Sequence, residues 1–411
     1  MSLNQTPRGD RVHISLFGRR NAGKSSLINA LTGQEIALVS EVLGTTTDPV
    51  YKAMEILPIG PVVIIDTAGL DDVGELGQLR IQKTYEVLNK TDIAIVVIES
   101  TYVDYKFETD LLKRIEDKKI PVIVVLNKID QQQWQQSVIT KAIEKELGHQ
   151  IIAVSATQKT GIDEIKRGLI KKLPEEDDKF AIIGDILNPG DFVVLVTPID
   201  KSAPKGRLIL PQQQVIRDIL ESDAIGIVTK EFELRETLES LGKKPKLVIT
   251  DSQVFAKVSA DTPVDVWLTS FSIIFARHKG DLTELIKGAK TLDKLCDGDK
   301  VLIAEGCTHH RQADDIGTVK IPRWIRQYTG KQLIFEHSAG FSYPANLDEY
   351  KLIVHCGACM LNKREMLYRI VAAKGKAIPI VNYGILIAYT QGILERVLQP
   401  FPEALLALEE E

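Results

Sequence analysis

Gly18-Arg19-Arg20-Asn21-Ala22-Gly23-Lys24-Ser25 spells GxxxxGKS, and this octet constrains the chain more than any other stretch. Residues 11–17 ahead of it alternate and predict a strand, and residues 26–31 behind it predict a helix. That strand–loop–helix context is what a phosphate cradle requires. The glycines let backbone N–H groups curl around phosphate oxygens, Lys24 brings a positive charge to the β and γ phosphates, and the Ser25 hydroxyl suits Mg²⁺. The loop thus nominates Gly18, Asn21, Ala22, Gly23, Lys24, Ser25 and Ser26 as a nucleotide-binding set within an α/β P-loop domain.

Three further stations follow in order, each at the end of an apolar run that reads as a strand. Residues 62–65 lead into Asp66-Thr67-Ala68-Gly69, where Asp66 would hold Mg²⁺ through water and the Gly69 N–H would meet the γ-phosphate. Residues 121–126 lead into Asn127-Lys128-Ile129-Asp130, whose Asp130 carboxylate can accept from guanine N1–H and the 2-amino group. Adenine offers neither donor, so such a site rejects it. Residues 151–154 lead into Ser155-Ala156, placed to contact the guanine carbonyl. Four stations in this order predict GTP binding. Between the first two, Gly44-Thr45-Thr46-Thr47-Asp48 supplies Thr46 as the sensor of γ-phosphate and Mg²⁺, and 71–77 reads as a second switching segment. Lys24 and Thr46 support hydrolysis in this reading; the sequence names no catalytic base.

This third of the chain resembles translation-factor-type GTPases, most closely the tRNA-modification and ribosome-assembly branch with its GxxNxGKS loop. Leu70 stands where Ras-like proteins carry a water-positioning Gln, and an apolar side chain cannot orient water, so slow unaided hydrolysis is expected. The resemblance implies that Asn21 holds a K⁺ ion in place of an arginine finger.

At 411 residues, two or three domains are expected, each with its own core. A formal net charge of -5 gives no basic footprint for nucleic acid. The first twelve residues lack an apolar signal core, and no run approaches the roughly 18 apolar residues of a membrane span, which predicts a cytoplasmic protein. Four cysteines in a reducing compartment then point to metal or redox chemistry rather than disulfides.

After a helix over 161–173, the charged run at 174–179 reads as a linker. Strands at 192–196, 224–228, 246–250 and 266–271 alternate with helices at 212–220 and 232–241, which suggests a small α/β domain for dimerisation or spacing. It shows no catalytic constellation, and Lys201, Lys205 and Arg207 read as a solvated loop. Beyond it, strands at 301–304, 332–335, 352–355 and 377–381, with helices at 322–328, 361–373 and 385–398, give a parallel doubly wound rhythm. The expected division is 1–173 GTP-binding, 174–179 linker, 180–265 dimerisation or spacer, and 266–411 a thiol-bearing domain.

The thiols in that last part are Cys307, followed by His309 and His310, and then His355-Cys356-Gly357-Ala358-Cys359. Both groups follow strands, and ligands in such sheets bind outside the strands' carboxyl ends, so residues far apart in sequence can meet on one rim. Three thiolates suit Zn²⁺ with a histidine or an iron–sulfur cluster with one iron lacking cysteine; a redox CxxC is a third option. His309 and His355 are each read as a ligand or as a supporting residue. Cys296 reads as a small, partly buried residue.

A K⁺-type GTPase domain, a middle α/β domain and a C-terminal CxH…HCxxC together resemble the HydF family of [FeFe]-hydrogenase maturation GTPases. The resemblance covers essentially the whole chain. It implies a [4Fe-4S] cluster on Cys307, Cys356 and Cys359, and a scaffold or carrier that passes a diiron precursor to apo-hydrogenase. It also implies radical-SAM maturases as partners, a homodimer, and GTP binding and hydrolysis that regulate those encounters. The competing readings are a tRNA-modification or ribosome-assembly GTPase with a zinc or redox module, and a redox-sensing GTPase.

Overall fold

In the computed structural model the described residues are 8–33, 49–69, 75–101, 104–131, 136–173, 181–198, 208–306, 315–340, 343–344 and 346–409. Thr46, Leu70, the linker at 174–179, the cluster at 201–207, and Cys307, His309 and His310 all lie outside them. The chain divides into two compact units, 1–178 and 179–411.

The first unit holds one sheet in the order β2-β3-β1-β4-β5-β6. Its strands are β1 (Val12–Phe17), β2 (Val50–Ile56), β3 (Gly60–Asp66), β4 (Ile93–Glu99), β5 (Val122–Asn127) and β6 (Ile151–Ala153). All neighbours run parallel except β2, which pairs antiparallel with β3. Alternate residues go to opposite faces: Ile14, Leu16, Ile64, Ile95 and Val97 enter one core, while Phe17, Val63, Ile65, Val96 and Ile98 enter another. Both faces are therefore covered, which is why β3 and β5 read as unbroken apolar runs; β1, whose segment reads as alternating, is buried on both faces as well.

The second unit holds two four-stranded parallel sheets. The first comprises β7 (Phe192–Val196), β8 (Ile225–Thr229), β9 (Leu247–Thr250) and β10 (Trp267–Ser270), ordered β10-β9-β7-β8. The other comprises β11 (Lys300–Glu305), β12 (Ile334–Ala339), β13 (Leu352–His355) and β14 (Ile380–Asn382), ordered β12-β11-β13-β14. β10 pairs with β9, so the first of these sheets runs past residue 265, where the sequence suggested a division. The two sheets share one continuous apolar core, from Val193 and Ile249 through Phe275 and Ile286 to Ile303 and Val354. Helices Phe271–Lys279 and Leu282–Ala289 join them.

The single helix expected at 385–398 is two, Tyr383–Thr390 and Leu394–Leu398. Gly392 stops the first with φ +69°, the left-handed conformation that glycine adopts without a Cβ penalty.

Candidate functional site: a phosphate loop and a thiol turn

β1 delivers the chain into Gly18, where an added Cβ would stand 2.3 Å from the Val97 carbonyl oxygen. Gly23 has φ +89°, and a Cβ there would meet the Asn127 amide at 2.2 Å. Both glycines are dictated by close approach as well as by the turn. Lys24 is buried, and its ammonium donates to the carbonyls of Gly18 (3.0 Å) and Arg19 (2.9 Å), which curls the loop around it. The helix Lys24–Thr32 follows at once, with its N-terminal end toward the loop.

β3 ends on Asp66, and the Ser25 hydroxyl donates to Asp66 Oδ2 at 2.7 Å. The other oxygen, Oδ1, is buried without a hydrogen-bond partner among the described residues. Burial pushes the Asp66 carboxyl above the ordinary range, against the pull of the Ser25 hydrogen bond and the Lys24 charge. An orphaned carboxylate oxygen beside a serine hydroxyl is the donor chemistry that Mg²⁺ takes, so Ser25 and Asp66 fit that ion.

Asn127, at the end of β5, ties the stations together. Its amide nitrogen donates to the Ala22 carbonyl (3.0 Å) and its amide oxygen accepts from the Ala156 N–H (3.1 Å). The phosphate loop and the last station are thus joined through one buried side chain. Lys128 reaches Glu99 at 3.1 Å. Asp130 is exposed; Thr157 donates to its Oδ2 at 3.2 Å, and its carboxyl lies below the usual range, chiefly through the Ser155 hydroxyl. Asn21 is exposed with φ +57°. Gly69 and Ala156 are buried and Ser26 half-buried. Of the second switching segment, residues 70–74 lie outside the described residues and a helix begins at Glu75.

Sequence reasoning missed one support of this loop. Arg19 makes a two-pronged pair with Glu108, Nε to Oε1 at 2.8 Å and Nη2 to Oε2 at 2.9 Å, and Glu108 has no exposed surface. Arg19 also donates to the Asp104 carbonyl and stacks 5.5 Å from the Phe107 ring. The partners stand 89 positions apart, and no local pattern marks them.

The thiols lie in the second unit. β11 and β13 are parallel neighbours with Ala304 opposite His355, so both strands leave the sheet at one rim. Cys356 N–H donates to the Ala304 carbonyl at 3.0 Å. The Gly306 N–H (3.1 Å) and Ala358 N–H (3.4 Å) both point at Cys356 Sγ, and Ala358 takes φ +55° in the turn. Burial raises the Cys356 thiol, and those two N–H groups work against it. The Cys359 thiol is pushed up to about 11, first by burial and then by Cys356. Paired sulfurs with backbone N–H groups aimed at one of them suit thiolates that hold a metal ion or cluster.

His355 is fully buried. Arg369 Nη1 donates to its Nε2 at 3.0 Å, and its Nδ1 faces the Cys356 carbonyl at 2.9 Å. A guanidinium can only donate, so Nδ1 carries the proton and both ring nitrogens are engaged. Burial and then the Arg369 charge push its pKa down to about 3. Arg369, also buried, donates to Glu365 Oε1 (3.1 Å) and the Gly340 carbonyl (2.8 Å) and lies 4.9 Å from the Tyr343 ring. Cys296 is exposed rather than partly buried, because it precedes the surface turn into β11.

Three family models match the chain. One described as "Hydrogen maturase F dimerization domain" covers residues 182–280, and one described as "Hydrogen maturase F tetramerization domain" covers 283–400. The third, "50S ribosome-binding GTPase", covers 13–128. Among curated proteins, the tRNA modification GTPase MnmE of Laribacter hongkongensis is 32% identical over 39% of this chain and 34% of its own length. GTPase Der of Wolinella succinogenes is 33% identical over 39% of this chain and 35% of its own. GTPase Era of Halothermothrix orenii is 32% identical over 39% and 55%. The chain thus spans roughly a third to a half of the relatives it matches. A solved structure of Era from Aquifex aeolicus bound to GDP·AlF4⁻ aligns at 20% identity with a TM-score of 0.37, over 56% of this chain and 98% of that one.

Proposed function

Because the chain belongs to the hydrogen maturase F family, we propose that it is a GTPase that carries an iron–sulfur cluster during maturation of [FeFe]-hydrogenase. The observation that supports the cluster is the turn at the end of β13. Cys356 sits beside the end of β11, two residues short of Cys307, with N–H donors from both segments on its sulfur. Cys307, Cys356 and Cys359 are the ligands, leaving one iron of a [4Fe-4S] cluster open for exchange, and a carrier needs such a position to take and release a diiron precursor. His355 supports the turn; His309 is left as a candidate for the open position.

GTP is hydrolysed at the first unit. Gly18, Asn21, Ala22, Gly23, Lys24, Ser25 and Ser26 cradle the phosphates, Ser25, Thr46 and Asp66 serve Mg²⁺, and Gly69 meets the γ-phosphate. Asn127, Lys128, Asp130, Ser155 and Ala156 read guanine. Hydrolysis is slow without help and is stimulated by K⁺ at Asn21: Asn21→Ala should abolish the difference in turnover between KCl and NaCl, measured by phosphate release. A difference that survives removes Asn21 from the role.

Nucleotide state regulates encounters with radical-SAM maturases and apo-hydrogenase, in the cytoplasm. Among the described residues no helix is long and apolar enough to cross a membrane. The protein assembles at least as a homodimer through 182–280. Anaerobic reconstitution with iron and sulfide, followed by EPR and metal analysis, tests the central claim. Close to four irons with a cluster signal lost in Cys356→Ser supports it; one zinc and no iron overturns it.

A further inference from the structure

Lys279 ends the helix that leaves β10, and it belongs to the segment matched by the dimerization-domain model. Its side chain is 2% exposed. The ammonium donates to the carbonyl of Cys359 at 3.1 Å and to that of Leu361 at 3.0 Å, and lies 5.6 Å from the Phe275 ring centroid. Neither carbonyl belongs to its own helix. Both come from the thiol turn, 80 and 82 positions later, inside the segment matched by the tetramerization-domain model. One side chain from the helix that follows the first sheet of this unit therefore closes the loop that carries the thiols of the other.

Taking an ammonium out of water costs several kcal/mol. A methionine would fill the same volume without the penalty. Cysteines that hold a metal or cluster do so as thiolates, so loading the turn gathers negative charge beside this ammonium. In an interior of low dielectric, a fixed cation acts on such charge far more strongly than a surface lysine does. The Lys279 charge already opposes the effect of burial on Cys359.

We propose that Lys279 is a positioning residue of the thiol site, holding the turn at 356–361 by its carbonyls and stabilising the negative charge of the cluster ligated there. The charge half rests on the cluster reading above; the hold on the turn does not.

Two arms on the full-length protein separate these. In metal-free protein, hydrogen exchange of the amides at 357–361 should speed up at least several-fold in Lys279→Met, with β7 and β9 unchanged, and Lys279→Arg should restore most of the protection. In reconstituted protein, followed by EPR during a redox titration, Lys279→Met should move the cluster midpoint to more negative potential, since losing a nearby cation disfavours the added electron. Lys279→Arg should keep the midpoint near wild type. Where Lys279→Met fails to fold, Lys279→Gln, which keeps a donor and loses the charge, should shift the midpoint and leave exchange nearer wild type. Wild-type exchange in folded Lys279→Met overturns the hold on the turn, a wild-type midpoint in folded Lys279→Met or Lys279→Gln overturns the charge half, and a turn that loosens several-fold in Lys279→Arg overturns the first. Wild-type protein that takes no iron sinks the cluster reading and the charge half together, while the exchange arm still decides the hold on the turn.

Discussion

In its proposed role Asp130 must be ionised to accept from guanine, and its carboxyl is held below the ordinary range first by the Ser155 hydroxyl. A depressed carboxyl keeps its charge into acid, so guanine affinity should be present above its pKa and lost only as pH falls through it. Ser155→Ala removes the leading cause, so the loss should set in at higher pH. Nucleotide affinity titrated from about pH 6 to below about pH 3, across the ordinary Asp value of about 3.9, reads this directly, and an unmoved midpoint would assign the depression elsewhere. Arg369 makes a different kind of prediction. It sits in the interior between Glu365, His355 and the Gly340 carbonyl. Arg369→Met leaves the Glu365 carboxylate buried without its cation, and breaking one side of such a pair costs about 3–5 kcal/mol. Adding Glu365→Leu should recover a large part of that in urea denaturation; no recovery would mean that Arg369 acts through His355 and Gly340 instead. The motif residues Lys24, Asp66, Asn127 and Cys356 were legible because their chemistry is written in adjacent letters. Glu108, Lys279 and Arg369 were not, because each acts on a partner that only the folded chain brings near.

At the scale of elements, the strands that end in motifs were readable because a buried parallel strand is a continuous apolar run. β2 was not: four of its seven residues are exposed, and it lies at the sheet edge without a motif. Helix Phe271–Lys279 also escaped, since six of its nine residues are buried and a helix apolar on most sides has no amphipathic period to read. β8 carries the clearest functional consequence of an element's position. It is an edge of the β10-β9-β7-β8 sheet, and Ile225 (45% exposed) and Val228 (47%) leave apolar surface there, with Leu220 and Phe232 exposed on flanking segments. An exposed apolar edge strand invites pairing with another chain. In a segment that matches a dimerization-domain model, the natural occupant is the same edge of a second copy. Ile225→Lys with Val228→Lys should halve the mass seen by light scattering and leave GTP binding unchanged. A dimer that persists with both lysines in place moves the interface off this edge.

Over the whole molecule the two chemistries lie in separate compact units. The phosphate loop, its Mg²⁺ pair and the guanine stations belong to 1–178, and the thiol turn to 179–411. Loss of one chemistry should therefore leave the other intact at the level of its own binding. Lys24 gathers the Gly18 and Arg19 carbonyls, and in the proposed site its ammonium meets the charge that develops on phosphate, so Lys24→Ala should lower GTP turnover by about a hundredfold or more. The same variant should take up iron and sulfide as wild type does. Cys356→Ser, which replaces the sulfur that two backbone N–H groups approach, should lose the cluster signal and keep GTP turnover within about twofold. If Lys24→Ala also fails to load iron, or Cys356→Ser also loses turnover, binding at one site depends on the other. The two-unit division would then describe packing without describing function, and delivery would need both sites filled in one protein at the same moment. Independent loss instead places nucleotide control downstream of loading, in the encounter with the acceptor protein, where activation of apo-hydrogenase by loaded Lys24→Ala should fall while its cluster content does not.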